Sequence, residues 1–158
     1  MKRHASDEAD DDNDTQKAAL PITTNAALNA IIGDFKEAKF LAVDTEFLRE
    51  HTYYPQLCLI QISDGVTAVA IDPLAKHLDL TPVWELMRNQ AITKVFHAGS
   101  QDMEIFLHLM GDLPQPIYDT QIAAMVCGLG DQVGYDKLVK SMLDHDIDKT
   151  SRFTDWSK

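Results

Sequence analysis

Apolar and polar positions along the chain change period several times, and each change marks an element. "TTNAALNAIIGDF" repeats its apolar residues at helical spacing behind a capping threonine, which predicts a first helix from about 24 to 35. "KFLAVDTEF" follows as a strand by its apolar and β-branched content, and "QLCLIQIS" is a second, almost continuously apolar run. Asp64-Gly65 is the strongest short hairpin signal in the chain, and "VTAVAID" completes a three-strand antiparallel meander. "TPVWELMRN" predicts a helix with Thr81 as N-cap and Pro82 in its first position. "TKVFHAG" is a fourth strand, and "SQDMEIFLHLMG" a helix capped by Ser100 and stopped by Gly111. "PIYDT" is a short fifth strand, "QIAAMVCGL" and "GYDKLVKSMLDH" are two more helices, and "TSRFTDWSK" closes the chain. A meander followed by alternating helices and strands predicts the α/β class, with a mixed sheet covered by helices on both faces.

The pattern breaks where acids fall on positions that belong to a core. Asp44 and Glu46 stand two residues apart in the first strand, so their side chains point the same way. Two like charges on one face of a half-buried strand repel each other and lose hydration, which costs several kcal/mol unless something offsets it. Asp102 lies three, four and seven residues before Ile105, Phe106 and Leu109, on the buried stripe of its helix. Its place in the first helical turn also fits an aspartate that merely answers the helix dipole. If "TKVFHAG" pairs beside the first strand, however, the three carboxylates converge at the rim where open α/β sheets bind ligands. Oxygen-only clusters of this kind hold hard divalent cations, Mg²⁺ or Mn²⁺, and a two-metal centre would account for all three acids at once. A structural Ca²⁺ site would need a loop rich in oxygen ligands, and these acids are on a strand and a helix.

Composition narrows the setting. The 158 residues have the length of one domain, and no apolar run approaches a membrane span. The N-terminus has no apolar segment of the secretory type, and Cys58 and Cys127 sit in apolar surroundings as expected of reduced core thiols, so a cytoplasmic location is expected. The net charge of −11 argues against a protein that holds nucleic acid by bulk electrostatics. Part of it is an acidic block of Asp7, Glu8, Asp10, Asp11, Asp12 and Asp14, which makes residues 1–20 an expected disordered tail before a folded domain at 21–158. A nucleic-acid substrate therefore requires cations bound at the site.

"VDTEF", "YYPQLCLIQISDG", "KVFHAGSQDMEIF", "YDTQIAA" and "TDW", in this order and spacing, resemble bacterial ribonuclease D of the DEDD superfamily of 3′–5′ exonucleases. The resemblance covers about residues 22 to 158 and implies a ribonuclease-H-like fold and two-metal hydrolysis of nucleotides from a single-stranded RNA 3′ end, in tRNA or other small structured RNA. It implies that Asp44 and Glu46 ligate metal and that Asp102 acts on the second ion through water. Thr45 and Phe47 fall where relatives contact the terminal nucleotide, by backbone and by stacking. His97 is a weaker match as a substrate-binding residue, since a lone histidine at a strand end also serves as a structural hydrogen-bonding group. Asp119 is a family feature too, with capping of the next helix as its expected task. The family's third motif, a tyrosine followed four residues later by an aspartate, is not reached before Lys158. The expectation is thus an exoribonuclease domain incomplete at its C-terminus, with an inert remnant that binds RNA ends or a protein partner as the alternative.

Overall fold

The computed structural model describes residues 20–49 and 53–148. The acidic N-terminal block and the "TDW" segment lie outside the described residues. Five strands form one mixed sheet in the order β3-β2-β1-β4-β5, where β1 is Phe40–Leu48, β2 Gln56–Ser63, β3 Ala68–Ile71, β4 Thr93–Phe96 and β5 Ile117–Asp119. β1, β2 and β3 make the expected antiparallel meander, while β4 and β5 add on in parallel. Asp64 accepts from the backbone N–H groups of Val66 and Thr67, and Gly65 takes φ 92°, so the Asp-Gly turn closes as its chemistry requires. The register of β1 against β2 slips between the Glu46–Leu59 and Phe47–Leu57 pairs, leaving Cys58 as an extra, bulged residue. Bulges bend a strand and re-aim its side chains. This one faces Glu46.

Five helices were expected and five are present among the described residues: α1 (Asn25–Phe35), α2 (Thr81–Arg88), α3 (Ser100–Met110), α4 (Thr120–Val126) and α5 (Tyr135–Leu143). Their caps follow the sequence less closely. Thr24 does cap α1 through the Ala27 N–H. Thr81 is instead the first residue of α2, its N–H taken by the Asp79 side chain, and the cap position falls on Leu80. Ser100 is likewise inside α3, with Gly99 at the cap and no side-chain cap bond. A hydroxyl residue qualifies as a cap only where its backbone is extended, and local composition does not settle that.

One continuous core joins Leu28, Ile32 and Phe35 of α1, Val83, Leu86 and Met87 of α2, and Ile105, Phe106 and Met110 of α3 to Leu41 and Val43 of β1. Met110 completes the α3 stripe rather than Leu109, which is 42% exposed. Cys58 is buried as expected, whereas Cys127 is exposed because α4 ends there and turns outward at Gly128. An unexpected member of the interior is Lys94 of β4, which is fully buried. Its ammonium donates to the carbonyl oxygens of Asn89 at 2.5 Å and Ile92 at 2.7 Å, and to that of Gln115. Burial pushes this ammonium down to about 8, and the carbonyl cage holds it charged at neutral pH. No helix among the described residues is long and apolar enough to cross a membrane.

Candidate active site

Alternation along β1 sends Leu41, Val43 and Thr45 to the buried side, and Ala42 and Asp44 to the open one. Because β4 runs parallel to β1, from Phe40–Thr93 to Ala42–Val95, the chain leaves β4 beside the acid-bearing end of β1 and enters α3 there. The result is a hydrogen bond across 57 residues of sequence: the Thr45 hydroxyl donates to Asp102 Oδ1 at 2.5 Å, with Thr45 and Asp102 only 6% and 7% exposed. Thr45, from the motif centre, thus fixes Asp102 against the strand that carries Asp44 and Glu46.

All three carboxyls titrate above their ordinary range. Burial raises Asp44, opposed by the Thr45 backbone N–H and by nearby His97. Burial also raises Glu46, and the charges of Asp44 and Asp102 add to it. For Asp102 burial is again the main cause, the Thr45 hydroxyl opposes it, and Asp44 adds to it. The three therefore share one another's field, and no ion pair among the described residues neutralises them. Side-chain convergence is looser than a closed cage, since no three His, Cys, Asp or Glu side chains among the described residues enclose a single ion position. Hard oxygen donors with raised affinity for positive charge, in no ion pair among the described residues, fit a divalent cation of the Mg²⁺ or Mn²⁺ type.

The turn into α3 is held by a residue from β5. Asp119 accepts from the N–H groups of Ala98 at 3.2 Å and Gly99 at 2.9 Å, and also from Gln121 and Ile122 at the start of α4. Burial works against its ionised form, but these backbone donors outweigh it and hold the carboxyl below the usual range. Helix capping is as expected; bracing the Ala98-Gly99 turn is the part that sequence reasoning missed. An aspartate ahead of a helix announces a cap, and nothing local announces a second element 20 residues upstream. Ala98 has φ 57°, and a Cβ on Gly99 would stand 2.8 Å from Phe96 Cβ, so the turn is tightly determined. Asp119→Ala is expected to cost about 2 kcal/mol in urea unfolding, by leaving several N–H groups without their acceptor. It should also slow turnover through displacement of Asp102, with Asp119→Asn in between. Unchanged stability and turnover in the alanine variant would show that the brace is dispensable.

His97 bridges elements: Nδ1 lies 2.9 Å from the Thr120 hydroxyl and Nε2 3.0 Å from the Val133 carbonyl. Both ring nitrogens have partners inside the protein, so this partly buried histidine links β4, α4 and the approach to α5. Phe47 packs against the core and is only partly buried.

The sheet is thus mixed, with Asp44 and Glu46 on β1 and Asp102 in the first turn of α3, the helix that follows the neighbouring strand β4. The chain belongs to the 3′–5′ exonuclease family, whose model matches residues 20–158. It is 56% identical over 137 residues to ribonuclease D of Zymomonas mobilis, across 86% of this chain and 35% of that protein. Among solved structures it is similar to Escherichia coli RNase D, an exoribonuclease involved in structured RNA processing, with TM-score 0.82 and 42% identity over 88% of this chain and 37% of that one. It also resembles Brucella melitensis NrnC with bound Mg²⁺, with TM-score 0.68 and 31% identity over 79% of this chain and 61% of that one. The chain thus spans about a third of the length of the ribonuclease D relatives it matches.

Proposed function

We propose that this chain carries the catalytic acids of a metal-dependent 3′–5′ exoribonuclease that acts on the single-stranded 3′ end of tRNA or another small structured RNA. The observation that carries the reading is the Thr45–Asp102 hydrogen bond, which ties the third acid to the strand bearing the first two in a chain of this family. Asp44, Glu46 and Asp102 would hold two divalent ions, whose chemistry when bound is activation of water and neutralisation of charge at the phosphate. Thr45 orients Asp102, and its backbone together with the Phe47 ring forms the place for the terminal nucleotide. Metal charge also answers the acidic balance of the chain, which on its own repels RNA.

The reading is tested with 5′-labelled single-stranded RNA in Mn²⁺. The expected product is a ladder shortened one nucleotide at a time from the 3′ end, abolished by chelation; internal cleavage or metal-independent decay would sink it. Before any turnover is measured, the site should reveal itself in melting curves. Mn²⁺ is expected to raise the melting temperature more than Mg²⁺ at equal concentration, following the affinity order of divalent ions. No shift at millimolar Mn²⁺ would remove the metal from the proposal.

A further inference from the structure

Beyond Glu46 the chain runs through Phe47 and Leu48 to Arg49, whose guanidinium pairs with Glu104 of α3, both side chains about half exposed. When the chain returns at Tyr53 and Tyr54, it meets the same helix. The Tyr54 ring lies flat on the His108 imidazole, centroids 3.9 Å apart and planes 9° apart, and Tyr53 stands edge-on to Tyr54 at 4.9 Å. Glu104 and His108 are one turn apart on a single face of α3, so both flanks of this connection are moored to the helix that begins beside Asp102. His108 is six residues past Asp102, a rise of about 9 Å along the axis. Arg49 is three residues past Glu46, about 10 Å of strand.

Neither tyrosine belongs to the core. Tyr53 is 91% exposed and Tyr54 is 50% exposed, although the latter is already ordered by its stack on His108. Aromatic rings that are held in place yet left facing water have met the cost of ordering before any ligand arrives. Every nucleobase has a π-face, so such rings bind successive bases of a single strand without demanding a sequence. We propose that Tyr53 and Tyr54 form a stacking platform for the bases immediately upstream of the 3′-terminal nucleotide, with Arg49 alongside for a backbone phosphate. The proposal rests on the exoribonuclease reading and adds to it that the RNA leaves the site along the outer face of α3. It also supplies affinity that an acidic chain does not obtain from charge.

The test compares a six-nucleotide RNA with a dinucleotide, each with a phosphorothioate at its 3′-terminal linkage and a 5′ fluorophore, by polarisation in Mn²⁺. Tyr53→Ala, at an exposed position, is expected to weaken the longer RNA about five- to tenfold, within the range for loss of one base stack, and to leave the dinucleotide unchanged. Tyr53→Trp should restore or tighten it, and Tyr54→Phe, which keeps the ring, should be neutral. Equal affinity of Tyr53→Ala and the unsubstituted chain for the six-nucleotide RNA overturns the platform and leaves the nuclease reading standing, because the dinucleotide reports on the acid site alone. Equal weakening of both RNAs overturns it too, as a general disturbance of the site. If the unsubstituted chain binds neither RNA in Mn²⁺, the exoribonuclease reading and the platform fall together.

Discussion

Asp44→Asn is expected to lose at least about a thousandfold in metal-dependent hydrolysis of RNA while the protein becomes slightly more stable in the absence of metal. The rate falls because a positioned group that holds or activates the reacting centre contributes on the order of 10² to 10⁴. Stability rises because the substitution removes one of three carboxylates that now repel one another, and Glu46→Gln should behave in the same way. The gain is expected to be on the order of 0.5 kcal/mol, in keeping with partly solvated charges. Its pH dependence has a definite sign. Asp44, Glu46 and Asp102 have folded-state values raised above 3.8, 4.5 and 3.8 respectively, so over the window just above those values the folded chain holds protons that the unfolded chain has released. Their contribution to stability therefore falls as pH rises through that window. The variant should gain on the unsubstituted protein as pH increases from about 4 to 7, and Mn²⁺ should close the gap by stabilising only the latter. Paired melting curves across this range provide the measurement. A variant that is less stable at neutral pH without metal, or that hydrolyses RNA at a near-normal rate, would remove Asp44 from the role assigned to it.

Lys94→Met has the largest effect expected on the fold itself. Methionine nearly matches the length of the lysine stem and keeps its apolar packing, but it leaves the cage of Asn89, Ile92 and Gln115 carbonyls without the ammonium. A buried acceptor that loses its partner costs about 1 to 3 kcal/mol, and the Ile92 contact is fully buried. Relief from burying a charge offsets part of that loss. The net expectation is a destabilisation of about 3 kcal/mol, seen as a lower urea midpoint with an unchanged slope. Because Lys94 ties the start of β4 to the segment entering β5, loosening it should also broaden local hydrogen exchange around Gln115 and Pro116. A midpoint equal to that of the unsubstituted protein would mean that water replaces the ammonium and the cage carries no structural load.

Lys94 also marks a boundary of what can be read from the chain. Alternation in "TKVF" places Lys94 on the same face as Phe96, yet lysine is so seldom buried that the pattern alone does not announce it. The carbonyls that make its burial tolerable come from two connections that meet only in the folded sheet. A longer stretch, 57 residues, separates Thr45 from Asp102. Each residue is legible by itself, one inside a strand motif and the other on a buried helical stripe, but the hydrogen bond between them depends on parallel pairing of β1 with β4.

Local chemistry was sufficient where the causes are local. The meander follows from apolar runs joined by Asp64-Gly65, the end of α3 from Gly111 at φ 72°, and the shared face of Asp44 and Glu46 from the two-residue repeat of a strand. Motif order added the family, which the match of the family model to residues 20–158 bears out. Tertiary structure decided the rest: that Met110 and not Leu109 closes the core, that Leu80 and Gly99 stand where Thr81 and Ser100 were expected to cap, that His97 meets Thr120 and Val133, and that Asp119 braces the turn before α3 as well as capping α4. In each case several arrangements satisfy the same short-range preferences within about 1 kcal/mol, and contacts between distant segments select among them.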